Sequence, residues 1–249
     1  MATRDPNRAL TFGSFAEEYA LWRPTYPAEA VEWLAPEHAS HVADVGAGTG
    51  KLTGALLDRG LTVDAVEPDP QMLSVLHRLY PSAAAHRAPA EGLPLADASV
   101  DAVLVADAWH WFDQKQAVEE VRRVLRPGGW LGLVWNLIKP VEGWEFELAG
   151  IDPDHKGLHG HGDDSDEELG AAFRQAEIET ATFPWIWAMT PEHWRAYLAT
   201  NSAVAAMGEA ERRQRLDQSQ ATVTRVCQET GRVAVPLHHE EYCLRWHPR

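Results

Sequence analysis

Two acids and the glycines between them offer the first readable chemistry. In VADVGAGTGKLTG, residues 42–54, Asp44 closes an apolar run, Gly46, Gly48 and Gly50 follow, and Glu67 stands 21 residues after Gly46. Closely spaced glycines let a backbone turn tightly and approach a ligand. A carboxylate about 20 residues beyond such a turn is placed to accept two hydrogen bonds from ribose hydroxyls. A dinucleotide fingerprint from Gly46 needs glycine at position 51, where the chain has Lys51. A phosphate loop ending in Gly50-Lys51 needs glycine at 45 and Ser or Thr at 52, where it has Val45 and Leu52. Asp44 would repel a pyrophosphate and favour an ammonium or sulfonium group. The pattern therefore points to a cationic adenosine.

A second set of candidates is aromatic and imidazole. His110 lies between Trp109 and Trp111 in ADAWHWFD, where it can bind an acceptor or remove a proton, or simply pack and hydrogen-bond locally. Trp185, Trp187 and Trp194 suit either the wall of an aromatic pocket or the core. His155, His159 and His161 in DHKGLHGHGDD resemble metal ligands by type. Nothing around them fixes a geometry, so they are expected in a solvated loop and no metal site is expected.

These groups need a scaffold. HVADVG, LTVDAVEPD, a short segment around AAAHR, VDAVLVADA and WLGLVWN read as buried strands. Helices are predicted between them. Leu52, Ala55 and Leu56 share one helical face after Gly50. Pro70 suits a first turn carrying Met72, Leu73 and Leu76, and Asp113 with Gln116 marks a helix start before Ala117, Val118, Val121, Val124 and Leu125, with LRPGG ending that helix. Ser14 with Glu17 predicts a capping box for a short helix ending before Pro24, and another helix is predicted after Pro27. Near-continuous apolar strands alternating with helices imply a parallel sheet covered on both faces.

Past Asn136 the pattern loosens, and residues 143–169 read as a long polar insertion. Helices are expected near 166–176, 191–206 and 209–229, with TFPWIWAMT and HHEEYCLRWH as strands at the sheet edge and Pro236 suited to an edge or a strand start. The expected division is 1–40 for N-terminal helices closing over the cofactor, 41–136 for the binding core, and 137–249 for the insertion, substrate-facing helices and edge strands. All three belong to one compact domain.

Bulk composition limits the partners. At 249 residues with 45% hydrophobic content, the chain can bury a sizeable core. A formal charge of -15 with four lysines disfavours nucleic acid, whose binding rests on Lys and Arg neutralising phosphates. The cluster Arg212, Arg213, Arg215 reads as a helix face. No apolar run approaches the roughly 20 residues of a membrane span, and the first residues lack a secretory pattern. Cys227 and Cys243 lack metal or disulfide spacing, so a reducing, cytoplasmic setting is expected and membrane partners are not.

DVGAGTG followed by VEPDPQML, APAEGLPLADASVDAVLVADAWHWFD and VRRVLRPGGWLGLVWN resembles the class I S-adenosylmethionine-dependent methyltransferases over residues 12–136. The likeness is greatest to the small-molecule group with ubiquinone-type C-methyltransferases and trans-aconitate methyltransferases. It implies a Rossmann-like, seven-stranded, mostly parallel α/β sheet with the last strand antiparallel and a small helical cap. It implies S-adenosyl-L-methionine as cofactor, S-adenosyl-L-homocysteine as product and a small-molecule acceptor. Carried over residue by residue, Asp44, Gly46, Ala47, Gly48 and Gly50 hold the methionine end of the cofactor, Glu67 the ribose, and Pro68 and Met72 flank the adenine. Ala90, Glu91, Ala106 and Asp107 follow the third and fourth strands. Tyr19 and Arg23 resemble the family's contacts to the methionine carboxylate. Relatives often carry Asp before the Ala of the third motif, whereas this chain reads Ala88-Pro89-Ala90-Glu91, which leaves adenine to the backbone or Glu91.

His110, Trp109, Trp135 and Trp185 are the substrate-side candidates, with His110 the candidate base for a phenol or enol. Arg23 or Arg195 would orient a carboxylate acceptor instead, and the sequence does not choose between oxygen, nitrogen and activated carbon. A non-catalytic module that binds S-adenosylmethionine or S-adenosylhomocysteine is the alternative reading, and Lys51 and Asp44 weigh against a nicotinamide-dependent oxidoreductase.

Overall fold

A computed structural model describes residues 12–35, 38–151 and 178–248. The helix predicted near 166–176 and the histidines 155, 159 and 161 lie outside these residues. The strands are β1 (His41–Val45), β2 (Thr62–Val66), β3 (Ala84–His86), β4 (Val100–Ala106), β5 (Leu125–Ile138), β6 (Ile178–Met189) and β7 (Val235–Trp246). The helices are α1 (Ala16–Trp22), α2 (Ala28–Leu34), α3 (Lys51–Asp58), α4 (Pro70–Leu79), α5 (Gln114–Val124), α6 (Gly143–Ile151), α7 (Pro191–Ala199), α8 (Ser202–Ala205) and α9 (Glu209–Thr230).

The strands form one seven-stranded sheet in the order β3-β2-β1-β4-β5-β7-β6. Pairing from β3 to β5 is parallel, and β7 lies antiparallel between β5 and β6. This is the expected α/β architecture. The strand order reverses between β1 and β4, the place where open α/β sheets bind ligands.

The local signals explain the first half. Asp69 caps α4 by accepting Gln71 N and Met72 N with Pro70 in the first turn, and Asp113 accepts Gln116 N at the start of α5. Leu52 and Leu56 of α3 pack with Val42, Val63 and Leu104 on one face of the sheet, while Val118, Val121 and Val124 of α5 pack with Val103 and Leu133 on the other. LRPGG does more than end α5. It opens β5, where Gly128 takes φ +83° and the pairing with β4 shifts register between Val100 and Ala102.

Four expectations change. The first helix starts one residue later than a Ser14 N-cap predicts: α1 begins at Ala16 with Phe15 at its N-cap, after a short 3-10 turn. The start of the supposed polar insertion is helical, because Trp144, Leu148 and Ile151 fall three and four residues apart and bury one face of α6. The helix expected over 191–206 is broken in two by Asn201, whose side chain accepts Ala203 N and Val204 N and starts α8. TFPWIWAMT does form the edge strand β6, but β7 sits inside the sheet. Pro236 is tolerated as its second residue because pairing with β5 ends at Ile138 and His239. No helix among the described residues is long and apolar enough to cross a membrane.

Candidate functional site

The glycine turn is built around Glu67. Gly46, Gly48 and Gly50 take φ of +71°, +56° and +88°, values that favour glycine. Gly46 N and Ala47 N donate to Val66 O at 2.9 and 3.1 Å, and Gly48 N donates to Glu67 Oε2 at 2.9 Å. A side chain at Gly46 would put its Cβ 2.7 Å from that of Ala108, whereas a Cβ at Gly48 would meet nothing within 4 Å. Space beside Gly48 is therefore open, while Gly46 is needed for the close approach of the loop after β4.

Glu67 is 8% exposed and accepts a second backbone bond, from Asp69 N to Oε1 at 2.9 Å. Burial raises its pKa while these two N–H groups hold it down. Two donors leave about half of a carboxylate's lone-pair positions for ribose hydroxyls. Asp44 is 1% exposed at the end of β1 and accepts Thr53 Oγ1 at 2.5 Å. Burial pushes its pKa up to about 7, and the nearby charge of Glu67 adds to this. Such an acid would gain from a cation beside it.

The N-terminal segment covers this region. Ala16, Tyr19 and Ala20 pack on Met72 and Val75, so Met72 is buried beneath α1. Gly13 lies so close to Asp69 that a Cβ there would meet its carboxylate at 2.4 to 2.7 Å. Arg23 donates to Thr200 Oγ1 at 2.9 Å and Thr200 O at 3.1 Å, and its guanidinium lies 5.1 and 4.9 Å from the rings of Tyr19 and Tyr197. It thereby ties the N-terminal segment to the end of α7. Trp22 adds to the same docking, 5.2 Å from the ring of His193, which itself meets Trp187 at 4.8 Å.

Asp107, just past β4, takes a left-handed φ of +51° and connects the two halves of the sheet. Its Oδ2 accepts Tyr26 Oη at 3.1 Å and its Oδ1 accepts Asn136 N at 3.2 Å. Ala106 precedes it, in register with Val134. Ala90 is buried in the α5-side core, and Glu91 Oε1 accepts Asp113 N at 2.6 Å at the start of α5. The carbonyl of Pro68 receives a bond from Arg87 at 3.4 Å.

The substrate-side candidates separate. Trp109 and Trp135 sit together in the α5-side core, while His110 is half-buried with its ring 5.0 Å from Trp111. Trp185 lies on the opposite face of the sheet, with its indole donating to Glu241 Oε1 at 3.0 Å and its ring 4.8 Å from His239. Glu241 is 0% exposed; burial and then the charge of Asp107 push its pKa up to about 9 against the opposing effect of Trp185. His239, whose Nδ1 is 2.7 Å from Asn136 Oδ1, is held down to about 3 by burial and the adjacent His238.

Sequence reasoning missed Tyr26, Asn136, His239 and Glu241. One signal was available: in VPLHHEEYC the alternation that buries Leu237 and Cys243 also buries His239 and Glu241, two polar residues on an apolar face. Tyr26 carried no such signal. Arg195, the other candidate for an acidic acceptor, donates instead to Asp217 and Gln220 on α9. Among the described residues, no group of three or more His, Cys, Asp or Glu side chains is arranged to hold a metal.

Residues 43–133 match the methyltransferase domain family. An uncharacterized methyltransferase of Mycobacterium tuberculosis is 55% identical over 143 residues, which is 57% of this chain and 59% of that protein. A demethylmenaquinone methyltransferase of Chlorobaculum parvum is 32% identical over 110 residues, 43% of this chain and 46% of that one. The matched stretches thus span less than two thirds of these relatives. A solved structure from Anaeromyxobacter dehalogenans, provisionally classed as a type II methyltransferase, aligns with TM-score 0.63 at 25% identity over 90% of this chain and 97% of that one. A phosphoethanolamine N-methyltransferase of Haemonchus contortus, bound to phosphomonomethylethanolamine and S-adenosylhomocysteine, has the same fold. It aligns with TM-score 0.54 at 16% identity, covering 100% of this chain and 61% of that one.

Proposed function

We propose that this chain, which carries a methyltransferase domain over residues 43–133 on a class I methyltransferase fold, transfers a methyl group from S-adenosylmethionine to a small molecule. The observation that carries this reading is the glycine turn wrapped on Glu67, with the buried Asp44 beside it. The turn and the two acids fit a ligand that is both an adenosine and a cation. The relationship to methyltransferases supports the same ligand, as does the S-adenosylhomocysteine bound by the Haemonchus enzyme of this fold.

Each residue then has a task. Glu67 keeps its backbone bonds and offers its remaining lone pairs to the ribose, with Pro68 and Met72 at the adenine beside Ala90 and Glu91. Asp44 and the backbone of Gly46, Ala47, Gly48 and Gly50 receive the methionine end, and Ala106 and Asp107 line the approach from β4. Tyr19 and Arg23 hold α1 over the site and exclude water. The sulfonium supplies an already activated methyl carbon, so the chain needs only to hold an acceptor in line with it. Positioning of this kind can lower a barrier by about 7 to 11 kcal/mol.

The test is thermal. S-adenosylhomocysteine should raise the melting temperature while NADH and ATP should not, and the reverse ranking would sink the proposal. Glu67→Ala should weaken S-adenosylhomocysteine binding by about 1 to 3 kcal/mol in a calorimetric titration, the scale for leaving hydrogen-bonded polar groups unpaired. Unchanged affinity would remove Glu67 from the ribose.

A further inference from the structure

Across β5, β7 and β6 the residues facing the α2 side run in rows. Val134, Cys243 and Ala181 form one row, Asn136, Glu241 and Phe183 the next, then Ile138, His239 and Trp185. Val134 and Cys243 belong to the core under α2 and α3, while Ile138, Leu237 and Trp187 belong to the core under α6, α7 and α9. The polar residues therefore occupy a seam between two apolar cores, joined to the loop after β4 by Asp107, whose carboxylate accepts Asn136 N. Burying polar groups there costs stability unless they are paired.

The pairing is incomplete in a specific way. Trp185 occupies Glu241 Oε1 and Asn136 Oδ1 meets His239 Nδ1, yet Glu241 Oε2, His239 Nε2 and Asn136 Nδ2 are buried without a hydrogen-bond partner. Because Asn136 Oδ1 can only accept, His239 Nδ1 carries the proton and Nε2 presents a lone pair. Asn136 Nδ2 is a donor. Burial and the nearby charge of Asp107 favour the acid form of Glu241, so Oε2 is a second donor. The set offers two donors and one acceptor beside the flat rings of Trp185 and Trp187, which lie 6.1 Å apart.

We propose that Asn136, His239 and Glu241, with Trp185, recognise the methyl acceptor, and that this acceptor is an uncharged planar molecule carrying a hydroxyl beside a carbonyl. Its hydroxyl donates to His239 Nε2, and its carbonyl accepts from Glu241 and Asn136. A carboxylate acceptor would face the like charge of Asp107 and, having no proton to give, would leave His239 Nε2 without a donor. An amine cation would have no use for the two donors. The inference rests on the methyltransferase reading above, which supplies the reason for an acceptor at this end of the sheet.

The experiment is a calorimetric titration of the full chain saturated with S-adenosylhomocysteine, using 2-hydroxyacetophenone, benzoate and benzylamine as neutral, anionic and cationic probes. The neutral probe should bind at least about tenfold more tightly than either charged one, the scale of one satisfied buried hydrogen bond. Glu241→Gln keeps a donor and should hold that affinity within about a factor of three, whereas Glu241→Met and His239→Phe should each weaken it about tenfold. Affinity for S-adenosylhomocysteine serves as the check that each variant is folded. Preference for benzoate or benzylamine, no saturable binding of the neutral probe, or full affinity in Glu241→Met would overturn the assignment while the cofactor reading stands. Failure of S-adenosylhomocysteine to bind the unaltered chain would overturn both.

Discussion

Glu67 and Glu241 are both buried carboxyls in one sheet, 8% and 0% exposed, yet their surroundings differ in kind. Glu67 accepts two backbone N–H groups, from Gly48 and Asp69, each within 19 residues of it in sequence. Glu241 accepts one indole N–H, from Trp185, 56 residues away, and has one oxygen unpartnered. The contrast extends to their neighbourhoods. In the β1–β4 half, carboxylates cap turns and helices, as Asp69 and Asp113 do for α4 and α5. In the β5–β7 half, polar side chains meet one another across strands. Backbone donors are fixed by the fold and favour the charged carboxylate, whereas sparse side-chain donors in an apolar seam leave it neutral.

The largest effect should come from breaking the cofactor half at its turn. Gly46→Ala forces a side chain into a left-handed backbone and against Ala108, and should cost about 2 to 4 kcal/mol of unfolding free energy by urea titration. A loss below half a kcal/mol would show that the turn relaxes freely. The next prediction addresses the other half. Glu241 has a folded pKa of about 9 against an ordinary value of 4.5, so the folded chain binds the extra proton between these limits. Stability contributed at this position therefore falls as pH rises through that window. Glu241→Gln removes the penalty and should gain on the unaltered chain by roughly 4 kcal/mol between pH 5 and pH 8. An identical pH profile in the two proteins would mean that Glu241 is ionised and paired.

Asp44 allows a sharper comparison, since it is the acid of the cofactor half that lacks backbone donors beyond Thr53 and titrates near pH 7. S-adenosylmethionine should gain affinity over S-adenosylhomocysteine as pH rises above about 7, by about 1.5 kcal/mol, the scale of a charge-assisted hydrogen bond. Asp44→Asn should flatten that difference, and a pH-independent ratio in the unaltered chain would separate Asp44 from the sulfonium. The smallest effect concerns the contact between the halves. Arg23→Met should lower stability by about 1 kcal/mol through lost ring and hydrogen-bond contacts with Tyr19, Tyr197 and Thr200. A larger loss of cofactor affinity than of stability would instead place Arg23 on the methionine carboxylate.

How much was legible follows the same division. Asp69, Pro70, Asp113 and Gln116 announce their helices because caps act within three residues, and the strands of the first half are apolar runs that read directly. The acids Asp44 and Glu67 could be singled out because the turn that uses them is a local structure. α6 was hidden because Trp144, Leu148 and Ile151 are interleaved with acids and glycine, and its buried Glu145 accepts not only the local Val141 N and Glu142 N but also His238 N, 93 residues away. Trp135, a substrate-side candidate, lies in the core beside Trp109, while Trp185 faces the polar seam. A strand's period reveals alternation but not which face meets which layer.

Sequence by itself determined the α/β order of elements, the glycine turn and the two acids beside it, because each depends on spacing along a short stretch of chain. Only the tertiary structure decided that β7 inserts between β5 and β6, that Tyr26 reaches Asp107, and that Asn136, His239 and Glu241 meet in one seam. These contacts join residues 81 and 103 positions apart, and no local periodicity encodes a distance of that kind.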